Sequence, residues 1–229
     1  DEDYHREISK ELARHMKKLL PEKGELKALV VGLGNREITP DALGPDVISN
    51  LHITRHLIEE YGTLGMGETC AHSVSGLVPG VMAQTGMETM EIIRGVVEET
   101  KPDVVIAIDA LAARSVKRLN RTIQLTDTGI QPGSGVGNHR NGLTETTLGV
   151  KVIGIGVPTV VDAATIVQDA MSHLLDALEE QEKKEFLEEM ITPSLHSMFM
   201  TPKDVDETIK RLSYTISEGL NLTFAKAEA

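Results

Sequence analysis

The amino-acid sequence predicts a single α/β domain over residues 1–229, a mostly parallel twisted sheet flanked by helices. Three observations carry this. Apolar runs within Lys27–Leu33, Val104–Ile108 and Val152–Val157 lack the polar alternation of a half-exposed strand, as burial on both faces of a parallel sheet requires. Helical spacing of apolar residues separates these runs. With 3% aromatic residues and no Trp, packing rests on Val, Ile, Leu, Met and Ala, the residues that fill helix–sheet interfaces. A chain of 229 residues with 40% hydrophobic content can bury one sizeable core.

In chain order, Tyr4 to Leu20 places Ile8, Leu12, Met16 and Leu19 on one stripe, an amphipathic helix closed by Pro21 and Gly24. Lys27–Leu33 is the first strand, and Gly32-Leu33-Gly34 is its exit turn. Thr39 is expected to cap a helix with Pro40 in its first turn and Val47, Ile48, Leu51, Leu57 and Ile58 inward. His52 and His56 would share a face of that helix. A loop around Gly62, Gly65 and Gly67 leads to a strand near Ala71 to Ser75. Thr85-Gly86-Met87-Glu88 fits a capping box ahead of the stripe Met90, Ile93, Val96 and Val97.

The Val104–Ile108 strand is expected to end at Asp109 and give way to a helix-like Ala110–Arg114. Arg121 to Leu125 alternates as a half-exposed strand, and Gln131 to Asn138 is a loop. Val152–Val157 should turn at Pro158 into a helix burying Ile166, Val167, Met171, Leu174 and Leu175. Leu178 to Glu189 is a charged, solvated excursion, and Thr201-Pro202 opens a last helix carrying Val205, Ile209, Leu212, Ile216 and Leu220. Alternation of this kind predicts βαβ units with right-handed crossovers, with ligands beyond the carboxyl ends of the strands.

A formal net charge of −12 argues against nucleic-acid or anionic-membrane partners. No signal peptide and no apolar run of about 18 residues is present, so the reading is soluble and intracellular. The one cysteine, Cys70, reads better as a small buried hydrophobe than as a nucleophile. No cofactor or metal is expected. The glycine clusters at Gly32–Gly34 and Gly133–Gly137 miss both the P-loop and the dinucleotide spacings. The eight histidines form no His-Glu-x-x-His pattern, and the Gly-x-Ser-x-Gly elbow is missing.

Acids remain. Asp41 follows the first glycine turn and Asp109 follows five apolar residues, so two carboxylates are carried to two strand ends, a pattern that suggests hydrolysis. Asp41 alone would pass for a first-turn acid offsetting a helix dipole. Asp109 is harder to explain that way, although an acid that binds loop amides would also fit. Asp127 and Asp162 fit turn and cap roles first and stand as candidate supporting acids. Asn35 and the backbone at Gly34 are candidate oxyanion or substrate donors.

At these residues the chain resembles the germination proteases of spore-forming bacteria. The likeness covers Leu29–Pro45, Pro79–Met82 with Thr85–Thr89, Lys101–Asn138, Gly149–Ile166, and Thr201-Pro202-Lys203 with Val205-Asp206. The resemblance implies an endopeptidase that degrades small acid-soluble spore proteins in the spore core, cutting after Glu. It implies an atypical aspartic mechanism, a zymogen with a removable N-terminal prosegment, and a homotetramer. It places the two catalytic aspartates on Asp41 and Asp109. The family's prosegment is read as absent here, since only the stretch from Asp1 precedes the first strand.

Two alternatives stand beside this reading. Gly32 to Gly44 also looks like the nickel-sensing turn of hydrogenase-maturation endopeptidases, whose fold the chain is expected to share and which would make it metal-dependent. The other alternative is an inactive, truncated binding or assembly module.

Overall fold

The computed structural model describes residues 2–65, 72–131, 141–175, 182 and 192–225. Strand β1 (Lys27–Gly32) lies inside a six-stranded sheet with β2 (Ser73–Leu77), β3 (Val104–Ala113), β4 (Gln124–Thr126), β5 (Lys151–Asp162) and β6 (Phe199–Met200). The order is β2-β1-β3-β5-β4, with β6 also on β5. The first four strands of that order run parallel, while β4 and β6 lie antiparallel to β5. The expected mixed α/β architecture is therefore present.

Helices α1 (Glu2–Leu19), α2 (Leu43–Asn50), α3 (Arg55–Gly65), α4 (Met82–Thr85), α5 (Thr89–Thr100), α6 (Glu145–Leu148), α7 (Ala163–Leu175), α8 (Pro193–His196) and α9 (Val205–Phe224), with 3-10 turns at Thr39–Asp41 and Val116–Arg118, complete the described elements. The uninterrupted apolar strands are explained by a core on each side. On one face, Leu12 and Met16 of α1, Val47 of α2 and Ile209, Ile216 and Leu220 of α9 pack on Val30, Ile106, Ile108, Ile153 and Ile155. On the other, Met90, Ile93 and Val97 of α5 join Leu143 and Leu148 against Leu29, Val31, Val105, Ala107 and Val152. The alternation along β1 and β3 assigns even positions to the first face and odd positions to the second.

Several boundaries differ from expectation, each for a reason visible in the structure. The helix expected to run from Thr39 through Ile58 is three pieces: a 3-10 turn at Thr39–Asp41, then α2, then α3. The break falls at Leu51–Thr54, where the His52 amide donates to Asn221 Oδ1 of α9 (2.9 Å) and the Thr54 amide to the Val74 carbonyl (3.0 Å). His52 therefore lies in a linker and does not share a helix with His56. Thr85 closes α4 at left-handed Gly86, and α5 is started by Glu88, whose amide donates to Glu91 Oε2 (2.8 Å).

The β3 strand does not end at Asp109. It continues to Ala113, because Ala110–Ala113 pair with β5 rather than coil. Strand β5 likewise runs through Pro158 to Asp162. The missing proline donor is absorbed by a bulge, with Leu111 opposite Pro158 and Ala112 opposite Val160, leaving Thr159 as the extra residue. The expectations for Cys70 and for most of Leu178–Glu189 and Gln131–Asn138 lie outside the described residues. No described helix is long and apolar enough to cross a membrane.

Candidate active site

In the sheet order the chain leaving β1 travels by α2 and α3 to β2 on one side, and the chain leaving β3 travels to β4 and β5 on the other. The two connections therefore part at the carboxyl ends of the adjacent strands β1 and β3. Open α/β sheets bind ligands in the crevice such a divergence creates at the strand carboxyl ends. Asp41 and Asp109 both belong to this place.

Asp41 arrives there by a loop folded back on the end of β1. The Asp41 amide donates to the Ile38 carbonyl (2.8 Å), the Ile38 amide to the Asn35 carbonyl (3.1 Å), and the Glu37 amide to Asn35 Oδ1 (3.0 Å). The Asn35 amide in turn donates to Asp41 Oδ2 at 2.7 Å, orienting the half-buried carboxylate. Gly34 has φ +112°, and a Cβ there would collide with the Asp41 carbonyl oxygen. Glycine is what lets the loop close. Gly44, at the start of α2, meets Leu33 and the Ile108 carbonyl so closely that the helix rests directly on the rim.

Asp109 reaches the same rim from within a strand. The last paired residues of β1 and β3 are Gly32 and Ile108, and the Leu33 amide still donates to the Ile108 carbonyl (2.8 Å). Asp109 is the next residue, where β1 has ended and β3 goes on beside β5, opposite Gly156. It is 4% exposed, the one acid among the buried polar residues described. The 3-10 turn that holds Asp41 packs against β3 and β5, the strand of Asp109 and the strand it pairs with.

The other acids stand apart. Asp162 lies six residues beyond Gly156, about 20 Å along the strand, and accepts from the Thr165 amide and hydroxyl (2.8 Å each), a cap on α7. Asp127 is exposed in the bend after β4, beside the paired hydroxyls of Thr126 and Thr128. Among the described residues no three His, Cys, Asp or Glu side chains gather to hold a metal. His72 Nδ1 accepts from the Leu26 amide (3.1 Å) and its ring meets Phe224 edge-on.

A run of four cations, Arg114, Lys117, Arg118 and Arg121, with no acid between Asp109 and Asp127, is the signal that an acid-centred reading of the sequence leaves unused. Arg114 and Arg118 line a cleft of about 440 Å³ just beyond Asp109 on the β3–β5 rim.

The sequence profile described as germination protease matches residues 1–178 and 172–227. The chain belongs to the germination protease family. Among relatives, the germination protease of Caldanaerobacter subterraneus subsp. tengcongensis is 47% identical, across 97% of this chain and 73% of that protein. That of Clostridium tetani is 46% identical, across 99% and 75%. That of Halalkalibacterium halodurans is 39% identical, across 96% and 73%. The chain thus spans about three quarters of the length of these relatives. Among solved structures, the [NiFe] hydrogenase maturation protease HycI from Thermococcus kodakarensis aligns over 90% of this chain and 98% of its own, at 16% identity and a TM-score of 0.42. Family membership makes the chain a protease of spore germination.

Proposed function

We propose that this chain is an endopeptidase that degrades small acid-soluble spore proteins through an atypical aspartic pair, Asp41 and Asp109. One observation supports the proposal: a carboxylate tethered in the loop that leaves β1 and a buried carboxylate in the adjacent strand β3 both lie near the carboxyl end of β1. Carboxylates brought together in a desolvated site cannot both ionise cheaply, so the pair shares one proton.

The ionised member takes a proton from water as the water oxygen bonds to the peptide carbonyl carbon. The protonated member gives its proton to the carbonyl oxygen. As the gem-diol collapses, one of its hydroxyls returns a proton to the now ionised carboxylate, the C–N bond breaks, and the leaving nitrogen takes the proton held by the other carboxyl, which restores the singly protonated pair. In this scheme the Asn35 amide fixes Asp41, and the backbone at Gly34 is the oxyanion donor. The reading also carries the family's expected setting: a homotetramer, matured from a precursor and acting in the spore core.

Asp41→Asn and Asp109→Asn, each with native circular dichroism, should lower cleavage of a small acid-soluble spore protein by about 10³-fold, within the range of general acid–base catalysis. Wild-type cleavage should be unchanged by EDTA dialysis. Retained cleavage in either variant would sink the pair. Loss on chelation with recovery on adding nickel or zinc would replace it with a metal centre.

A further inference from the structure

We infer that Asn141 is a self-modifying site: the Gly142 backbone amide attacks its side chain and expels ammonia, leaving aspartate or isoaspartate against the start of α5. This chemistry belongs to the turn itself and does not depend on the proteolytic reading above.

Reactivity comes from the two residues and their surroundings. Asn141 is the one asparagine of the chain that precedes a glycine. A glycine has no Cβ to obstruct the approach of its nitrogen to the preceding side chain. The Asn141 side chain is exposed, and the Gly142 amide makes no hydrogen bond with any described residue, so neither partner is held back. Gly142 is held by its carbonyl instead, which accepts from the Thr147 hydroxyl (2.8 Å). The Gly142 nitrogen loses its proton to solvent and bonds to Asn141 Cγ, closing a cyclic imide. The Cγ–Nδ2 bond breaks, and the nitrogen leaves as ammonia with a proton drawn from solvent. Water then opens the imide at either carbonyl, giving aspartate with the original backbone or isoaspartate with the backbone routed through the side chain.

The consequence follows from what Asn141 holds. Its Nδ2 donates to Glu88 Oε2 (3.2 Å), and Glu88 opens α5 in a capping box with Glu91. Either product replaces that donor with a carboxylate, so attraction becomes like-charge repulsion beside two existing acids. Helix α5 carries the chain from the end of β2 back to the start of the parallel strand β3, so its first turn stands at the carboxyl ends of the strands. Two residues after Asn141, Leu143 is fully buried in the core under α5 and exchanges backbone hydrogen bonds with Ile130 (2.8 and 3.0 Å). Isoaspartate lengthens the backbone by one methylene just ahead of this anchor. The anchor has little slack, because Gly129, at φ +94°, already lies so close to the Leu143 carbonyl that a Cβ would strike it. The modification therefore cuts the tie between this turn and α5 and strains the bridge behind it.

The test holds the folded chain in warm, mildly alkaline buffer for several weeks and follows every asparagine by peptide mapping with mass spectrometry, scoring isoaspartate by its specific enzymatic methylation. Asn141 should convert ahead of every other asparagine, with ammonia released in step. Conversion should be lost over the same period in Gly142→Ala, whose methyl group finds room once the flexible Gln131 side chain gives slightly. Asn141→Asp, which has the product's charge and an unaltered backbone, should melt about 2–4 °C below wild type, and Glu88→Gln should remove most of that difference. An unmodified Asn141 at the end of the incubation, or another asparagine converting first, overturns the site. An Asn141→Asp chain that melts with wild type, or a difference that Glu88→Gln leaves whole, overturns the link to α5.

Discussion

Gly34 and Asp41 are in backbone contact: the position a Cβ would take at Gly34 is filled by the Asp41 carbonyl oxygen, and Gly34 holds φ at +112°. One residue thus meets two constraints that no other residue type can meet together. Gly34→Ala must either open the loop or strain both backbones, and opening it withdraws Asp41 from the Asn35 amide. The variant should be destabilised by about 2 kcal/mol or more, the scale of overpacking added to a left-handed penalty. Denaturant melts would measure this. Cleavage should fall even at temperatures where the variant is fully folded, and a variant of normal stability and activity would show that the loop does not position the acid.

How far the sequence disclosed this site depends on the kind of signal. Asp41 was legible because a strand, a glycine turn and a proline-started helix are all local patterns. Asp109 was legible as an acid after five apolar residues, although its setting was not. Ala110–Ala113 have helical propensity, yet they extend as strand because β5 supplies ladder partners, a tertiary fact that no local window contains. Pro158 misled in the same way, since proline inside a central strand is tolerated only with a bulge, and the bulge is a property of the pairing. The cleft at Arg114 and Arg118 needs residues from β3, β4 and β5, so only the cation run showed in the sequence.

His72 gives the fold an acid-sensitive joint. Burial, with the nearby Lys17 charge, pushes its imidazole below the ordinary value of 6.5, against a smaller opposing effect of Glu25. Its Nδ1 accepts from the Leu26 amide just ahead of β1, which requires the neutral ring. A group whose folded value is depressed contributes stability above the unfolded value, and that stability is lost as pH falls through the folded one. Unfolding stability should therefore decline as pH is lowered below 6.5, and His72→Gln, which cannot titrate, should show a shallower decline over the same window. Parallel melting curves at stepped pH would measure both, and equal slopes would remove His72 from the account.

Asp103 anchors the opposite end of the sheet with the reverse chemistry. Partial burial acts to raise its carboxyl, but hydrogen bonds from Lys23 Nζ (2.7 Å) and the Lys27 amide (2.8 Å) outweigh this and hold it below the usual carboxylate value of 3.8. The Asp103 amide also donates to the Lys27 carbonyl (2.7 Å), so one residue ties the entry of β3 to the entry of β1. Since β1 and β3 are the two strands that deliver Asp41 and Asp109, their register is fixed partly from this far end. With its folded value depressed, the carboxylate stabilises above the unfolded value and ceases to do so as pH falls through the folded one. Asp103→Asn should lose about 1 kcal/mol at neutral pH, the scale of one charge-assisted bond at a partly exposed site. The difference from wild type should close in strongly acidic solution, where both side chains are neutral. A gap that stays constant from neutral pH into acid would assign the loss to packing rather than to charge.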